Sequence, residues 1–236
     1  MAQILGNISS IETTGFVDGP GVRVVVFLQG CPLRCLYCHN PESLKFDTKK
    51  NIMTPQEVLE KVLRYKNYFG KNGGVTFSGG EPLFQQEFLL EVLKLCKQNN
   101  INTALDTAGS VLIKNNILEF VDTVILDIKA IDEQQYLKLT GNTMHNFNKF
   151  LQLCQKNQNK LWIRQVIVPG INDSEQYVLK LKEFISGLSN VQKIELLPYH
   201  DMAKEKYIKL GMEYALKDTL SMDKLKCKQL QMLMDS

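Results

Sequence analysis

Two hydrophobic periods alternate along this chain. Short apolar runs without helical spacing fall at residues 22–28, 75–77, 103–106, 123–128, 161–168 and 194–197, and each reads as a buried strand. Between them lie stretches with apolar residues three and four apart. A helix opens at Thr54, with Thr54 as N-cap, Pro55 in the first turn, and Val58, Leu59, Val62 and Leu63 on one face. Further helices are expected at 88–96, across most of 113–120, in pieces between 132 and 157, and at 175–185. Residues 3–16 alternate weakly and predict a short extended segment over the domain edge. Residues 216–236 predict a packed terminal helix, with Met222, Leu225, Leu230 and Leu233 at roughly helical spacing.

Six strand–helix units in series imply a parallel sheet with right-handed crossovers, covered by helices. Six are too few to close an eight-stranded barrel, so the expected fold is α/β, an open partial (β/α)6 barrel with parallel strands. A chain of 236 residues, 44% hydrophobic, suits one domain over residues 1–236 with its core at about 15–200. The net charge of +3 is dispersed, which gives no nucleic-acid footprint. No apolar run approaches membrane-spanning length and no targeting segment is seen, so a cytoplasmic protein is expected.

The candidate chemistry sits just after the first strand. Cys31, Cys35 and Cys38 are spaced C-x3-C-x2-C on the loop leaving its C-terminal end. Three thiolates on one loop repel and oxidise unless a metal holds them. An iron–sulfur cube held by three cysteines keeps one iron open to a ligand that is not protein. Three other readings compete. Residues 35–39 also spell the C-x-x-C-H of covalent haem attachment, but Cys31 is then unexplained and the N-terminus lacks an export pattern. A Cys3His zinc site would need the adjacent Cys38 and His39 to aim at one metal, and a dithiol redox pair leaves Cys31 over. Cys96, Cys154 and Cys227 stand alone in helical patterns and read as packing residues; His145 reads as surface.

The cysteine spacing, with Tyr37 before the last Cys, resembles the radical S-adenosylmethionine (SAM) enzymes. Asp18-Gly19-Pro20-Gly21, Phe27-Leu28-Gln29-Gly30-Cys31, Tyr37-Cys38-His39-Asn40, Trp162-Ile163-Arg164 and Leu196-Leu197-Pro198-Tyr199-His200 together resemble the pyruvate formate-lyase activating family, over about residues 4–215. That resemblance implies the same (β/α)6 form, a [4Fe–4S] cluster on Cys31, Cys35 and Cys38, and SAM on the open iron. It places Gly80 at the methionine amino group. Asp127, Ile128 and Lys129 border the ribose and carboxylate, and Tyr37, Cys38, His39 and His200 border the nucleoside. Asp106 and Asp127 together would hold a monovalent cation beside the SAM carboxylate.

The activity so implied is cleavage of SAM to a 5′-deoxyadenosyl radical that takes hydrogen from a glycine of pyruvate formate-lyase. The partner's glycine loop would lie near Asp18 and Arg164, flavodoxin or ferredoxin would supply the electron, and the enzyme would be a monomer. Residues 40–54 hold no cysteine, which excludes the activators with extra clusters inserted there. A small-molecule radical SAM enzyme, such as a deazapurine synthase, and an electron-transfer or metal-storage module without SAM remain open at this point.

Overall fold

The computed structural model describes residues 3–46, 51–114 and 116–236. Its eight strands are β1 (Gly6–Gly15), β2 (Arg23–Leu28), β3 (Ile52–Met53), β4 (Gly74–Gly79), β5 (Asn102–Thr107), β6 (Thr123–Asp127), β7 (Lys160–Ile167) and β8 (Val191–Pro198). They form one sheet in the order β3-β1-β2-β4-β5-β6-β7-β8. From β2 to β8 every pairing is parallel, and the sheet stays open because β3 and β8 are its two ends. The expected six-stranded parallel unit is therefore present.

The N-terminal segment does more than cover an edge. Its alternation makes β1 a ten-residue strand, paired antiparallel with β2 on one side and with β3 on the other. The helices are α1 (Pro55–Leu63), α2 (Gln86–Gln98), α3 (Glu133–Thr140), α4 (His145–Lys156), α5 (Glu175–Ser186), α6 (Lys204–Lys209) and α7 (Lys224–Asp235). Helix α1 begins as its sequence dictates. Glu57 N donates to Thr54 Oγ1 at 3.2 Å and Thr54 N donates to Glu57 Oε2 at 2.7 Å, a reciprocal cap that stabilises a helix start by about 1 kcal/mol.

Two expectations fail locally. Of residues 113–120 only Ile117–Phe120 is helical, as a single 3-10 turn, while Asn115 lies outside the described residues. Within the β5–β6 connection the 3-10 turn buries Ile117 and Leu118. The terminal helix α7 is packed as expected, with Met222 and Leu230 buried and Leu233 against the core; Cys227 and Met234 join them, but Leu225 points to solvent. Asp223 caps that helix through Leu225 N and Lys226 N.

The main apolar core lies between sheet and helices. It takes Val24, Val26 and Leu28 from β2, Leu105 from β5, Val124 and Leu126 from β6, and Leu161 and Ile163 from β7. Because side chains alternate, the residues between these point to the opposite face, where Ala104, Ile125 and Trp162 form a small apolar cluster. That face also carries buried Val25 and polar side chains. Arg23 is fully buried there, donating to Thr76 Oγ1 at 2.6 Å, Val75 O at 2.7 Å, Pro20 O at 2.9 Å and Asn102 Oδ1 at 3.0 Å. It ties the 16–22 loop to the lower end of the sheet.

Candidate active site

The cysteine loop is built by backbone contacts from three directions. Gly30, at φ +90°, donates its N–H to Ser43 O at 2.8 Å. Arg34 N donates to Thr140 O at 2.7 Å and Leu36 N to Leu139 O at 2.9 Å, so the C-terminal end of α3 holds the loop's middle. Beside it, Gly80 N donates to Leu28 O at 2.8 Å and Glu81 N to Gly30 O at 2.9 Å. Both glycines at the C-terminal end of β4 are required by close approach. A Cβ on Gly79, whose φ is +113°, would lie 2.4 Å from Leu28 N and O, and one on Gly80 would lie 2.4 Å from Gly30 O.

Glu81 does not face a ligand. Its carboxylate is buried and accepts from Thr107 Oγ1 at 2.6 Å, Ser110 Oγ at 3.1 Å, Ala108 N at 3.1 Å and Leu83 N at 3.2 Å. Burial raises its pKa, and those donors act the other way. The carboxylate clamps the loop after β5 against the turn after β4, a structural role that the GGE string does not disclose.

A cavity of about 240 Å³ opens at the C-terminal ends of the strands. Its lining includes Cys31, Cys35, Tyr37, Cys38 and His39 from the loop; Gly80, Asp106, Asp127, Lys129 and Arg164 come from the strand ends. Ile128 is elsewhere: its side chain is buried in the core between sheet and helices, and its N–H donates to Arg164 O at 2.8 Å. His200 stands at the rim, exposed and stacked on His39 with ring centroids 3.9 Å apart. His39 Nε2 donates to His200 O at 3.1 Å, and burial together with His200 lowers the His39 pKa to about 4. His145 is exposed, and Cys96, Cys154 and Cys227 are buried packing residues.

Sheet register brings the charged residues together. Asp127 pairs with Arg164 and Arg164 with Glu195, which sets the three side by side across β6, β7 and β8. Arg164 Nε binds Glu195 Oε2 at 3.1 Å and its guanidinium also donates to Val17 O. Trp162 Nε1 donates to Glu195 Oε2 at 2.7 Å, and Lys193 Nζ lies 2.5 Å from Glu195 Oε1 and 4.0 Å above the Trp162 ring. Glu195 escaped the sequence reading; its one available signal is a single acid at an inward position of an apolar strand. Above this row Asp106 Oδ2 accepts from Ser78 Oγ at 2.7 Å, and Lys129 pairs with Asp127 Oδ2. Burial raises the Asp106 pKa, and Arg164 is the largest influence lowering it.

The donor set fits the group that the cysteine spacing predicts. Burial pushes the Cys31 thiol up to about 12 and the Cys35 thiol up to about 11, so neither would ionise at neutral pH without a cation. Backbone donors at Leu33 and Asn40 point to Cys31 and Cys38, as anionic sulfurs require. Two buried polar atoms in this region, Asp127 Oδ1 and Tyr37 Oη, have no hydrogen-bond partner. Such groups are costly unless a ligand completes them.

Comparison with known proteins agrees. The profile of the Radical SAM superfamily matches residues 25–182. Pyruvate formate-lyase-activating enzyme of Clostridium pasteurianum is 49% identical over 230 residues, 97% of this chain and 96% of its own. That of Staphylococcus epidermidis is 41% identical over 90% of this chain and 88% of its own. A crystallised domain of pyruvate-formate lyase-activating enzyme from Bacteroides vulgatus superposes with a TM-score of 0.56 at 24% identity, covering 69% of this chain and 93% of that domain. The superfamily carries a [4Fe–4S] cluster and uses SAM. By sequence, fold and site alike, this chain belongs to the Radical SAM superfamily and, within it, to the pyruvate formate-lyase-activating enzymes.

Proposed function

We propose that Cys31, Cys35 and Cys38 hold the [4Fe–4S] cluster and that the residues around them position SAM for activation of pyruvate formate-lyase. The observation that carries this reading is the convergence of the three thiols with Asp127, Lys129 and Gly80 on one cavity, in a chain so similar to activating enzymes along its whole length. When bound, the cluster supplies the electron that splits SAM into methionine and a 5′-deoxyadenosyl radical, and that radical takes a hydrogen atom from a glycine Cα of the partner.

The chain's own residues do the placing. Lys129, held by Asp127, offers a cation to the SAM carboxylate, and the unpartnered Asp127 Oδ1 accepts from a ribose hydroxyl. Asp106 and Asp127 offer hard oxygen ligands to a monovalent cation beside that carboxylate. Gly80 brings a backbone group to the methionine end. The His39–His200 stack gives adenine a flat surface to extend. Asp18, partly buried below the cavity near Arg164, lies where an extended glycine loop would pass; burial raises its pKa while Arg164 opposes the rise. A flavodoxin or ferredoxin donor suits the cluster's need for single electrons.

SAM affinity and partner activation test the reading together. His200→Ala should weaken SAM by about 5- to 150-fold, from the ~1–3 kcal/mol of one base-stacking contact. Lys129→Ala should weaken it further, since the partly buried Asp127 is left unpaired. Both variants should retain native iron. Native enzyme with reductant, SAM and pyruvate formate-lyase should produce a glycyl radical signal in electron paramagnetic resonance. Unchanged SAM affinity in both variants would remove this pocket from the account.

A further inference from the structure

Two residues of β7 and two of β8 form a charged square on one face of the sheet. Trp162 pairs with Lys193 and Arg164 with Glu195, and residues two apart on a strand share a face. Glu195 is the hub. Its Oε2 accepts from Trp162 Nε1 at 2.7 Å and from Arg164 Nε at 3.1 Å, while Oε1 lies 2.5 Å from Lys193 Nζ. Partial burial works to raise its pKa, but Lys193 and Arg164 outweigh it and hold the carboxyl below its usual range. Glu195 is therefore a carboxylate at neutral pH.

That carboxylate fixes how the Arg164 guanidinium is shared out. With Nε on Glu195, the terminal amino group Nη2 donates to Val17 O. The other, Nη1, has no hydrogen-bond partner among the described residues, although the side chain is only 10% exposed and lines the cavity. A nearly buried donor of this kind is costly unless an acceptor completes it. Val17 O belongs to the 16–22 loop, where Phe16 and Val17 are 73% and 71% exposed. A donor facing the cavity beside exposed apolar side chains suits a polypeptide, whose backbone carbonyls meet the one and whose side chains cover the other. A small charged cofactor gains nothing from that apolar pair.

We propose that Glu195 is a positioning residue for the protein substrate, holding Arg164 so that Nη2 anchors the 16–22 loop and Nη1 is left for a backbone carbonyl of the partner's glycine loop. The inference rests on activation of pyruvate formate-lyase as the function. Glu195 acts only through Arg164. Without its charge, Asp18 and Asp106, whose carboxyls Arg164 already influences, compete for the guanidinium.

Glycyl radical formation measured against pyruvate formate-lyase concentration gives KM and kcat for each variant, with iron content and SAM Kd measured beside them. Glu195→Gln keeps the size of the side chain and an oxygen for Trp162 but removes the charge. Its KM for the partner should rise roughly tenfold, the size of one charge-assisted hydrogen bond, with a smaller change in kcat. Glu195→Asp, which keeps the charge, should recover part of the loss. Lys193→Ala leaves the Arg164 contact intact and should stay near native. Arg164→Ala should raise KM at least as far, and adding Glu195→Gln to it should raise KM no further, because residues acting through one contact are not additive. A native KM in Glu195→Gln, an additive loss in the double variant, or SAM affinity falling in step with KM would overturn the proposal. Loss of iron or unfolding of Glu195→Gln would overturn it too, because the carboxylate would then be supporting the fold. A native enzyme that binds iron and SAM yet puts no radical on the partner would instead refute the function on which the inference rests.

Discussion

Replacing Cys31, Cys35 or Cys38 singly by Ala will lower bound iron to background and abolish SAM cleavage, whereas Cys96→Ala, Cys154→Ala and Cys227→Ala will retain both. The two groups differ in what their thiols can do. The first three line the cavity, on a loop with backbone amide donors directed at sulfur. Cys96 and Cys154 are buried among helix side chains, where burial pushes each thiol up to about 12, and Cys227 donates to Leu196 O at 3.6 Å inside the α7–β8 packing. A truncation there removes one small apolar group and costs stability only. Iron retained in Cys31→Ala and lost in Cys96→Ala would refute the ligand assignment.

Gly80→Val should cost nearly as much. The family resemblance, which places Gly80 at the methionine amino group, implies that a side chain there would block the cofactor and spare the cluster. The structure places the conflict inside the protein. A Cβ at Gly80 meets Gly30 O at 2.4 Å and Ser43 O at 2.9 Å, both of them backbone atoms that cannot swing aside. Relief requires separating the turn after β4 from the cysteine loop, which breaks the Glu81–Gly30 and Gly30–Ser43 hydrogen bonds. Iron content and SAM binding should therefore fall together. A Gly80→Val protein with full iron and no SAM affinity would show that the first, cofactor-facing reason was correct.

The strands were legible because a sheet buried on both faces demands unbroken apolar runs, and the helices because their apolar faces recur at 3.6 residues. The cysteine spacing is local in sequence, so it was readable without a fold. What stayed hidden depends on register and long-range contact. Glu195 joins Arg164 only because β7 and β8 pair at those residues. Glu81 turns inward because Thr107 and Ser110, some 26 to 29 residues later, supply the donors it needs. Likewise β1 read as an edge cover, since weak alternation cannot say whether a segment finds a partner strand; β2 and β3 gave it two.

The central claim is that this chain makes a radical that removes hydrogen from a glycine of pyruvate formate-lyase. Formate-lyase labelled with deuterium on glycine Cα, incubated anaerobically with the reconstituted enzyme, reductant and SAM, tests it most directly. Deuterium should appear in 5′-deoxyadenosine in step with a glycyl radical signal on the partner. If 5′-deoxyadenosine formed at full rate with no deuterium while the label stayed in the partner, the account would be contradicted.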